Sequence, residues 1–325
     1  MTADEERRIS DWHEGLAQEI SIQCLVSNDD RTALFRGFCE QMTRLAPGVH
    51  VLYRKGDDAK QPPAILLNDR LVYHALPEGP ELPPFLETLS LLGEAIPSIS
   101  REIISRLDTL NAPCLLKLFI APQCPFCPRT VRDLNPLAIA NAWVRLTVVD
   151  GLLFPEMAQA LNIQSAPTLV FDDRMQWTGQ TSVNEILDVV LNQDPSLLSA
   201  ASMENLLQEG KASMLARMMM AQGTIFPAFY DLITHEKWSV RLGAMVAMEE
   251  IIEQDRPLAA QCVGPLWERF PALDQQAQGD VVYILGEAGD RNIIRDLETV
   301  LSGPYNAETR EAAREALESI AQRPS

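Results

Sequence analysis

The chain has 325 residues, 46% of them hydrophobic and 22% charged, which is the composition of a globular protein with two or three domains. Its net charge of −18 argues against nucleic acid and anionic membranes as partners. No apolar run approaches the roughly 20 residues that cross a bilayer, and the acidic amino-terminal segment lacks the apolar core of a secretory signal. We therefore expect a cytoplasmic protein.

The first region, residues 10–105, combines strand and helix patterns. A helical start at ISDWHEGLAQ precedes a strand at 20–27, the helix TALFRGFCEQMTRLA and the strand VHVLYR. After Pro62 and Pro63 come two strands, AILLND and RLVYHAL, and the helix PPFLETLSLLGEAI. The predicted order is β-α-β-Pro-β-β-α.

The second region, residues 106–195, repeats that order. Its buried strand CLLKLFIA (114–121) leads through PQCPFCP into the helix RTVRDLNPLAIANA and the strand VRLTVVD (144–150). The segment LFPEMAQALNI is helical, and the strands TLVFDD and MQWTG and the helix SVNEILDVVLNQ follow. One unit therefore occurs twice, and only the second copy carries a C-x-x-C sequence.

The third region has no strand pattern. Helical patterns are joined by short turns, and the patterns V-R-x-x-A and T-R-E-A-A-R are similar to each other. Such repeated helices indicate an α-solenoid. The predicted fold class is thus α/β followed by all-α. We predict domains at 1–105, 106–196 and 197–325.

The pair Cys124 and Cys127 comes directly after a buried strand, at the start of a helix. With Cys124 at the N-cap and Pro125 at the first helical position, unsatisfied N–H groups and the helix dipole favour the Cys124 thiolate. Cys127 lies one turn further on and is expected to be more buried. This arrangement predicts a redox-active dithiol.

Two other interpretations of the pair stay open, half of a zinc site and a bridged iron–sulfur cluster. A zinc site needs two more ligands, and the four histidines are isolated in the sequence. Pro167 stands at the first position of a strand, where a missing N–H is tolerated. If the Ala166–Pro167 bond is cis, the adjacent backbone can face the dithiol and pair with an extended peptide. Pro125, Phe126, Ala166 and Thr168 are the predicted client-binding residues, and no metal ligand is predicted.

The strand–CPFC–helix arrangement followed by SAPT resembles the thioredoxin/glutaredoxin superfamily, with CPFC closer to glutaredoxins. The tandem arrangement with a degenerate first unit resembles archaeal-type protein disulfide oxidoreductases. It resembles more closely the N-terminal domain of the flavoprotein subunit of alkyl hydroperoxide reductase, through VVDGLLFPEMAQALNIQSAPTLVFDD and SVNEIL. The third region resembles HEAT-like repeats.

This resemblance implies that Cys124 is the attacking thiolate, Cys127 the resolving thiol and Pro167 the cis-proline. Two departures stand out. Leu118 occupies the place where thioredoxins usually hold a buried Asp, so another group or water must take the proton from Cys127. The first unit reads NDDR where archaeal enzymes often carry a second C-x-x-C, so it is not expected to be a redox centre.

We expect a protein disulfide reductase whose redox group is the Cys124–Cys127 disulfide, with no other cofactor. The sequence lacks a G-x-G-x-x-G dinucleotide motif, so electrons must come from a separate flavoprotein reductase. The client is a disulfide-containing protein, and a peroxiredoxin is one candidate. Two alternatives remain: a disulfide oxidase or isomerase using the same dithiol, and a HEAT-repeat scaffold with redox-linked docking.

Overall fold

The computed structural model describes residues 1–56, 61–92, 99–110 and 113–322. It divides into two compact units, Met1–Asn192 and Gln193–Ser325. None of the helices in these described ranges is both long and apolar enough to cross a membrane.

The first unit contains the duplication that the sequence predicts. Repeat 1 consists of α1 (Ala3–Glu14), β1 (Ile20–Val26), α2 (Thr32–Leu45), β2 (Val49–Lys55), β3 (Ala64–Leu66), β4 (Leu71–His74) and α3 (Leu82–Leu92). Repeat 2 consists of α4 (Arg101–Leu107), β5 (Cys114–Ile120), α5 (Cys127–Ala140), β6 (Val144–Asp150), α6 (Pro155–Ala160), β7 (Thr168–Phe171), β8 (Met175–Thr178) and α7 (Val183–Asn192). After the first helix of each repeat, the strands and helices follow the predicted order β-α-β-β-β-α, and repeat 2 adds the helix α6 between β6 and β7.

The two repeats share one eight-stranded sheet, in the order β2-β1-β3-β4-β6-β5-β7-β8. Each repeat contributes four adjacent strands, and the parallel pairing of β4 with β6 joins them, with Tyr73 opposite Val148. Behind this seam α3 packs on α5. There the buried Asn135 amide donates to the hydroxyl oxygens of Thr88 (2.8 Å) and Tyr73. Because buried polar groups need partners, these bonds help fix how the repeats meet.

The structure changes several predicted bounds. Helix α1 begins at Ala3 rather than at Ile9, because Thr2 and Glu5 form a capping box at its start. The predicted strand AILLND is shortened to the three residues of β3. Helix α3 ends at Leu92, and the rest of the helix predicted to residue 96 lies outside the described residues. The predicted boundary at 105/106 falls within α4, whose Arg106 bonds to Asn184 and Asp188 of α7; the division of this unit into two domains stays a prediction.

The second unit is helical throughout residues 193–322, as predicted. Its helices are α8 (Ala200–Gln208), α9 (Ala212–Gln222), α10 (Phe229–Ile233), α11 (Trp238–Gln254), α12 (Arg256–Ala259), α13 (Val263–Arg269), α14 (Gln275–Ala288), α15 (Ile294–Ser302) and α16 (Ala307–Gln322). The fully buried Arg241 links α11 to α14 through an ion pair with Asp280 at 2.6 Å. It also donates to the His235 carbonyl. The assignment of these helices to HEAT-like repeats stays a prediction.

Candidate active site

The CPFC sequence spans the end of the loop after β5 and the first residue of α5, Cys127. Strand β5 pairs with β6 on one side and β7 on the other, so it is an interior strand of the sheet. Its apolar residues Leu116, Leu118 and Phe119 are buried. The end of β5, and with it the start of the loop that carries Cys124, therefore has a fixed position in the core.

The predicted position of Cys124 at the helix N-cap is wrong, because α5 begins at Cys127 and its N-cap residue is Phe126. The reason is the second proline of the motif. A helix starting at Pro125 would need the N–H of residue 128 to reach the Cys124 carbonyl, and Pro128 has none. Starting at Cys127 places Pro128 in the first turn, where no N–H is required. The Cys127 N–H instead donates to the Cys124 sulfur at 3.2 Å.

The two thiols differ in exposure, as predicted. Both are free; Cys124 is partly exposed and Cys127 is fully buried. Burial, and then the hydrogen bond with Cys124, raise the pKa of Cys127. Pro125 and Phe126 lie on the surface beside Cys124, with Phe126 53% exposed. Only Cys124 can therefore meet a bulky client first.

The loop before β7 completes the surroundings of Cys124. The Ala166–Pro167 peptide bond is cis, and the Cys124 thiol donates to the Ala166 carbonyl at 3.3 Å. Thr168 is buried, and its hydroxyl donates to the Ser165 carbonyl. The structure thus brings Cys124, Cys127, Ala166 and the backbone of Pro167 together, whereas the Thr168 side chain turns inward. The catalytic and client-binding roles of these residues stay predictions.

Glu81 of repeat 1 is a site residue that the sequence analysis did not find. It is only 4% exposed, and its Oε1 atom has no hydrogen-bond partner within the described residues. Burial raises the pKa of Glu81 to about 7, the charge of Arg132 opposes this shift, and the charge of Asp150 adds to it. Glu81 lines a cavity of about 450 Å³ together with Asp150 and Pro122.

Glu81 is also close enough to the dithiol for its charge to raise the pKa of Cys127. A carboxyl group that titrates near neutral pH and whose charge acts on a buried thiol is a candidate proton acceptor for that thiol. The only sequence signal for this residue is an acidic side chain at the start of an otherwise apolar helical segment.

An apolar pocket of about 160 Å³ lies between the end of β5 and the loop before β7. Its walls include Ile120, Leu152, Ala158, Ile163 and Ala166, the residue whose carbonyl accepts the Cys124 hydrogen bond. Leu152 is 73% exposed at the rim. Because this pocket includes Ala166, the solvent-exposed Leu152 side chain is a candidate contact for a client polypeptide that reaches Cys124.

The remaining cysteines behave differently from the CPFC pair. Cys114 and Cys262 are buried, and burial raises the pKa of each thiol to about 12. Cys24 and Cys39, distant in sequence, hydrogen-bond to each other in the core of repeat 1. Within the described ranges, no group of three or more His, Cys, Asp or Glu side chains is arranged to hold a metal ion.

Comparison with known proteins finds a family model, curated relatives and solved structures similar to this chain. Residues 115–191 match the thioredoxin domain family. The F subunit of alkyl hydroperoxide reductase is 22% identical in Pseudomonas aeruginosa and 20% in Staphylococcus epidermidis, over 58% of this chain in each case. These alignments cover 36% and 37% of the relatives, so the chain spans little more than a third of their length.

Two solved structures share this fold. The NTD_N/C domain of alkylhydroperoxide reductase AhpF from Enterococcus faecalis is 16% identical with a TM-score of 0.52, covering 58% of this chain and 99% of that domain. A protein disulfide oxidoreductase from Aeropyrum pernix is 14% identical with a TM-score of 0.54, covering 59% and 93%. The predicted thioredoxin-like fold of the N-terminal region is confirmed.

Proposed function

We propose that this chain, a thioredoxin-fold disulfide oxidoreductase, reduces disulfides in client proteins and receives its electrons from a separate flavoprotein reductase. The observation that carries this proposal is the asymmetry of the dithiol. The partly exposed Cys124 sulfur accepts the Cys127 N–H at 3.2 Å, while Cys127 is fully buried behind it. This asymmetry supports Cys124 as the thiol that attacks a client and Cys127 as the thiol that resolves the product.

The reaction transfers two electrons in two exchanges. The Cys124 thiolate attacks one sulfur of the client disulfide, forming a mixed disulfide and releasing the other client sulfur as a thiolate. The Cys127 thiolate then attacks the Cys124 sulfur and releases the second client thiolate. The client gains two electrons and two protons, and the chain is left with the Cys124–Cys127 disulfide.

The second exchange needs a proton acceptor, because burial and the hydrogen bond with Cys124 raise the pKa of Cys127 and keep it protonated. Glu81, with a pKa of about 7, can take that proton as Cys127 attacks. Its Oε1 atom lacks a hydrogen-bond partner in the described part of the chain, and Glu81 lines a cavity together with Asp150. These observations support Glu81 as the proton acceptor in the role left open by Leu118.

The electron donor is proposed from two observations. The sequence has no G-x-G-x-x-G motif of its own, and the relatives it matches are F subunits of alkyl hydroperoxide reductase. A flavoprotein disulfide reductase is the donor that fits, and a peroxiredoxin is a candidate client. The working group is the Cys124–Cys127 disulfide, and we propose a cytoplasmic location.

Insulin reduction with dithiothreitol as electron donor tests the activity. We expect catalysis by the wild type and a midpoint potential near −270 mV, typical of reducing members of this fold. A potential near −120 mV would instead identify a disulfide oxidase using the same site. Absence of catalysis with an intact dithiol would leave the scaffold alternative.

A further inference from the structure

The loop after β1 holds, in repeat 1, the place that the CPFC loop holds in repeat 2. Each loop follows the strand that pairs with two neighbours in its own repeat and precedes that repeat's long helix. In repeat 1 the loop reads SNDDR and ends in Arg31. Arg31 contacts residues of repeat 2 as well as residues of its own loop.

The Arg31 guanidinium binds the segment between β6 and α6 of repeat 2. Its Nη1 donates to the Leu153 carbonyl at 2.8 Å, and its Nη2 pairs with Glu156 at 2.7 Å. Its charged carbon lies 4.0 Å from the centre of the Phe154 ring. Arg31 therefore holds this segment by a hydrogen bond to the backbone, an ion pair and a cation–π contact.

Arg31 is itself held in place by Asp29. The Arg31 Nε and Nη2 atoms donate to the two Asp29 carboxylate oxygens at 2.8 and 2.6 Å. Because this pairing is bidentate, the guanidinium plane has one orientation. A lysine has neither the planar fork nor the reach to contact the carbonyl, the carboxylate and the ring together.

The segment that Arg31 holds forms part of the apolar pocket that also includes Ala166. Leu152, immediately before the bonded Leu153, is the exposed rim residue of the apolar pocket. Asp150 fixes the other end of the segment by accepting the N–H groups of Leu152 and Leu153. The pocket also includes Ala166, which accepts the Cys124 hydrogen bond.

We infer that Arg31 is a positioning residue for client binding: the degenerate loop of repeat 1 holds the Leu152 segment of repeat 2 beside the nucleophile. The inference rests on the proposed function, since it concerns how a client polypeptide meets Cys124. Arg31 touches no reacting atom. Its loss should therefore weaken binding of large clients and leave the sulfur chemistry intact.

Steady-state reduction of insulin and of hydroxyethyl disulfide by the full chain separates these effects. We expect Arg31→Ala to raise the KM for insulin about three- to ten-fold, with kcat and the rate on the small disulfide within about two-fold of wild type. Arg31→Lys should not restore the KM. Arg44→Ala, which removes an exposed arginine of repeat 1 paired with Glu6, should leave both substrates unchanged.

A double-mutant cycle with Leu152→Ser tests the route of the effect. If Arg31 acts through Leu152, the double variant should have the insulin KM of Leu152→Ser alone. Effects that multiply, or an equal loss on both substrates, would overturn the inference. If Arg31→Ala does not fold, Glu156→Gln is the alternative variant, because it removes only one of the Arg31 contacts and should still raise the insulin KM. An unchanged KM in Glu156→Gln would contradict the inference. Inactive wild type on both substrates would instead defeat the proposed function.

Discussion

Repeat 1 and repeat 2 share a strand order and one sheet, yet they use the same loop differently. After β5 the loop carries two thiols, whereas after β1 it carries the Asp29–Arg31 pair. An interior strand fixes where such a loop begins, while the loop sequence itself can vary. The same loop can therefore carry reactive side chains in one repeat and a structural contact in the other. The repeat without a dithiol contributes Arg31, which contacts Leu153 and Glu156 of repeat 2, and Glu81, whose charge raises the pKa of Cys127. We therefore propose that the reacting unit is residues 1–192 rather than repeat 2 alone.

The largest expected effect is that of removing Cys124, the thiol of repeat 2 that we propose attacks the client disulfide. Cys124→Ser should reduce insulin turnover by on the order of 100-fold or more, because it removes the partly exposed thiol next to the helix start. The measurement is the insulin reduction rate with dithiothreitol, compared with Cys114→Ser as a buried control. Activity above a few per cent of wild type would show that another cysteine attacks the client.

Cys127→Ser should stop the reaction after the first exchange. Cys124 can still form the mixed disulfide, but the serine hydroxyl cannot resolve it. We expect a higher-mass band with a disulfide-containing client on a non-reducing gel, which disappears on reduction. If no adduct forms although Cys124 remains alkylatable, Cys127 has a role other than resolution.

Glu81→Gln tests whether repeat 1 takes part in proton transfer. Because the pKa of Glu81 is about 7, the carboxyl is protonated below that pH and becomes an acceptor above it. Wild-type turnover should therefore rise as pH increases through 7. The variant should lose this rise and be about ten-fold slower at pH 8, since water replaces a placed base. Stopped-flow measurement of mixed-disulfide resolution locates the effect.

Two controls make the Glu81 test specific. Glu78→Gln changes a less buried carboxyl group on the same cavity and should keep the wild-type pH profile. The folded-state pKa of Glu81 is raised from 4.5, so its ionisation opposes folding as pH rises towards 7 and beyond. Glu81→Gln should thus increase the free energy of unfolding at pH 8 but not at pH 4. A slower variant without this stability difference would argue against a buried, titrating Glu81.

The fold and the dithiol could be predicted because their signals are local. The run VRLTVVD corresponds to β6 residue for residue, and the CPFC sequence between an apolar run and a helix identifies the site. Glu81 and Arg31 could not be found in this way. They reach repeat 2 through the pairing of β4 with β6, and no local pattern states which edge strands will pair. The N-cap prediction is wrong because Pro128, and not Pro125 alone, decides where α5 can start.

Removing the helical unit should have a smaller and selective effect. We expect a chain shortened to residues 1–194 to fold, because residues 1–192 form a compact unit. It should reduce hydroxyethyl disulfide at the full-length rate and show a KM for the natural protein partner raised about three- to ten-fold. Loss of activity on the small disulfide in a folded short chain would mean that the helical unit belongs to the active site.

The smallest expected effect concerns the thiols of repeat 1. Cys24 and Cys39 hydrogen-bond to each other and are fully buried, so a client cannot reach them as it reaches Cys124. Replacing both with alanine should lower the free energy of unfolding by about 1–2 kcal/mol, because buried thiols pack as small apolar groups. The Cys124–Cys127 midpoint potential should move by less than about 10 mV, since thiol exchange there depends on the local helix start. A redox titration of the wild type should accordingly show one two-electron stage. A second stage that disappears in the double variant would show that repeat 1 has its own redox couple, and the division of labour between the repeats would then be wrong.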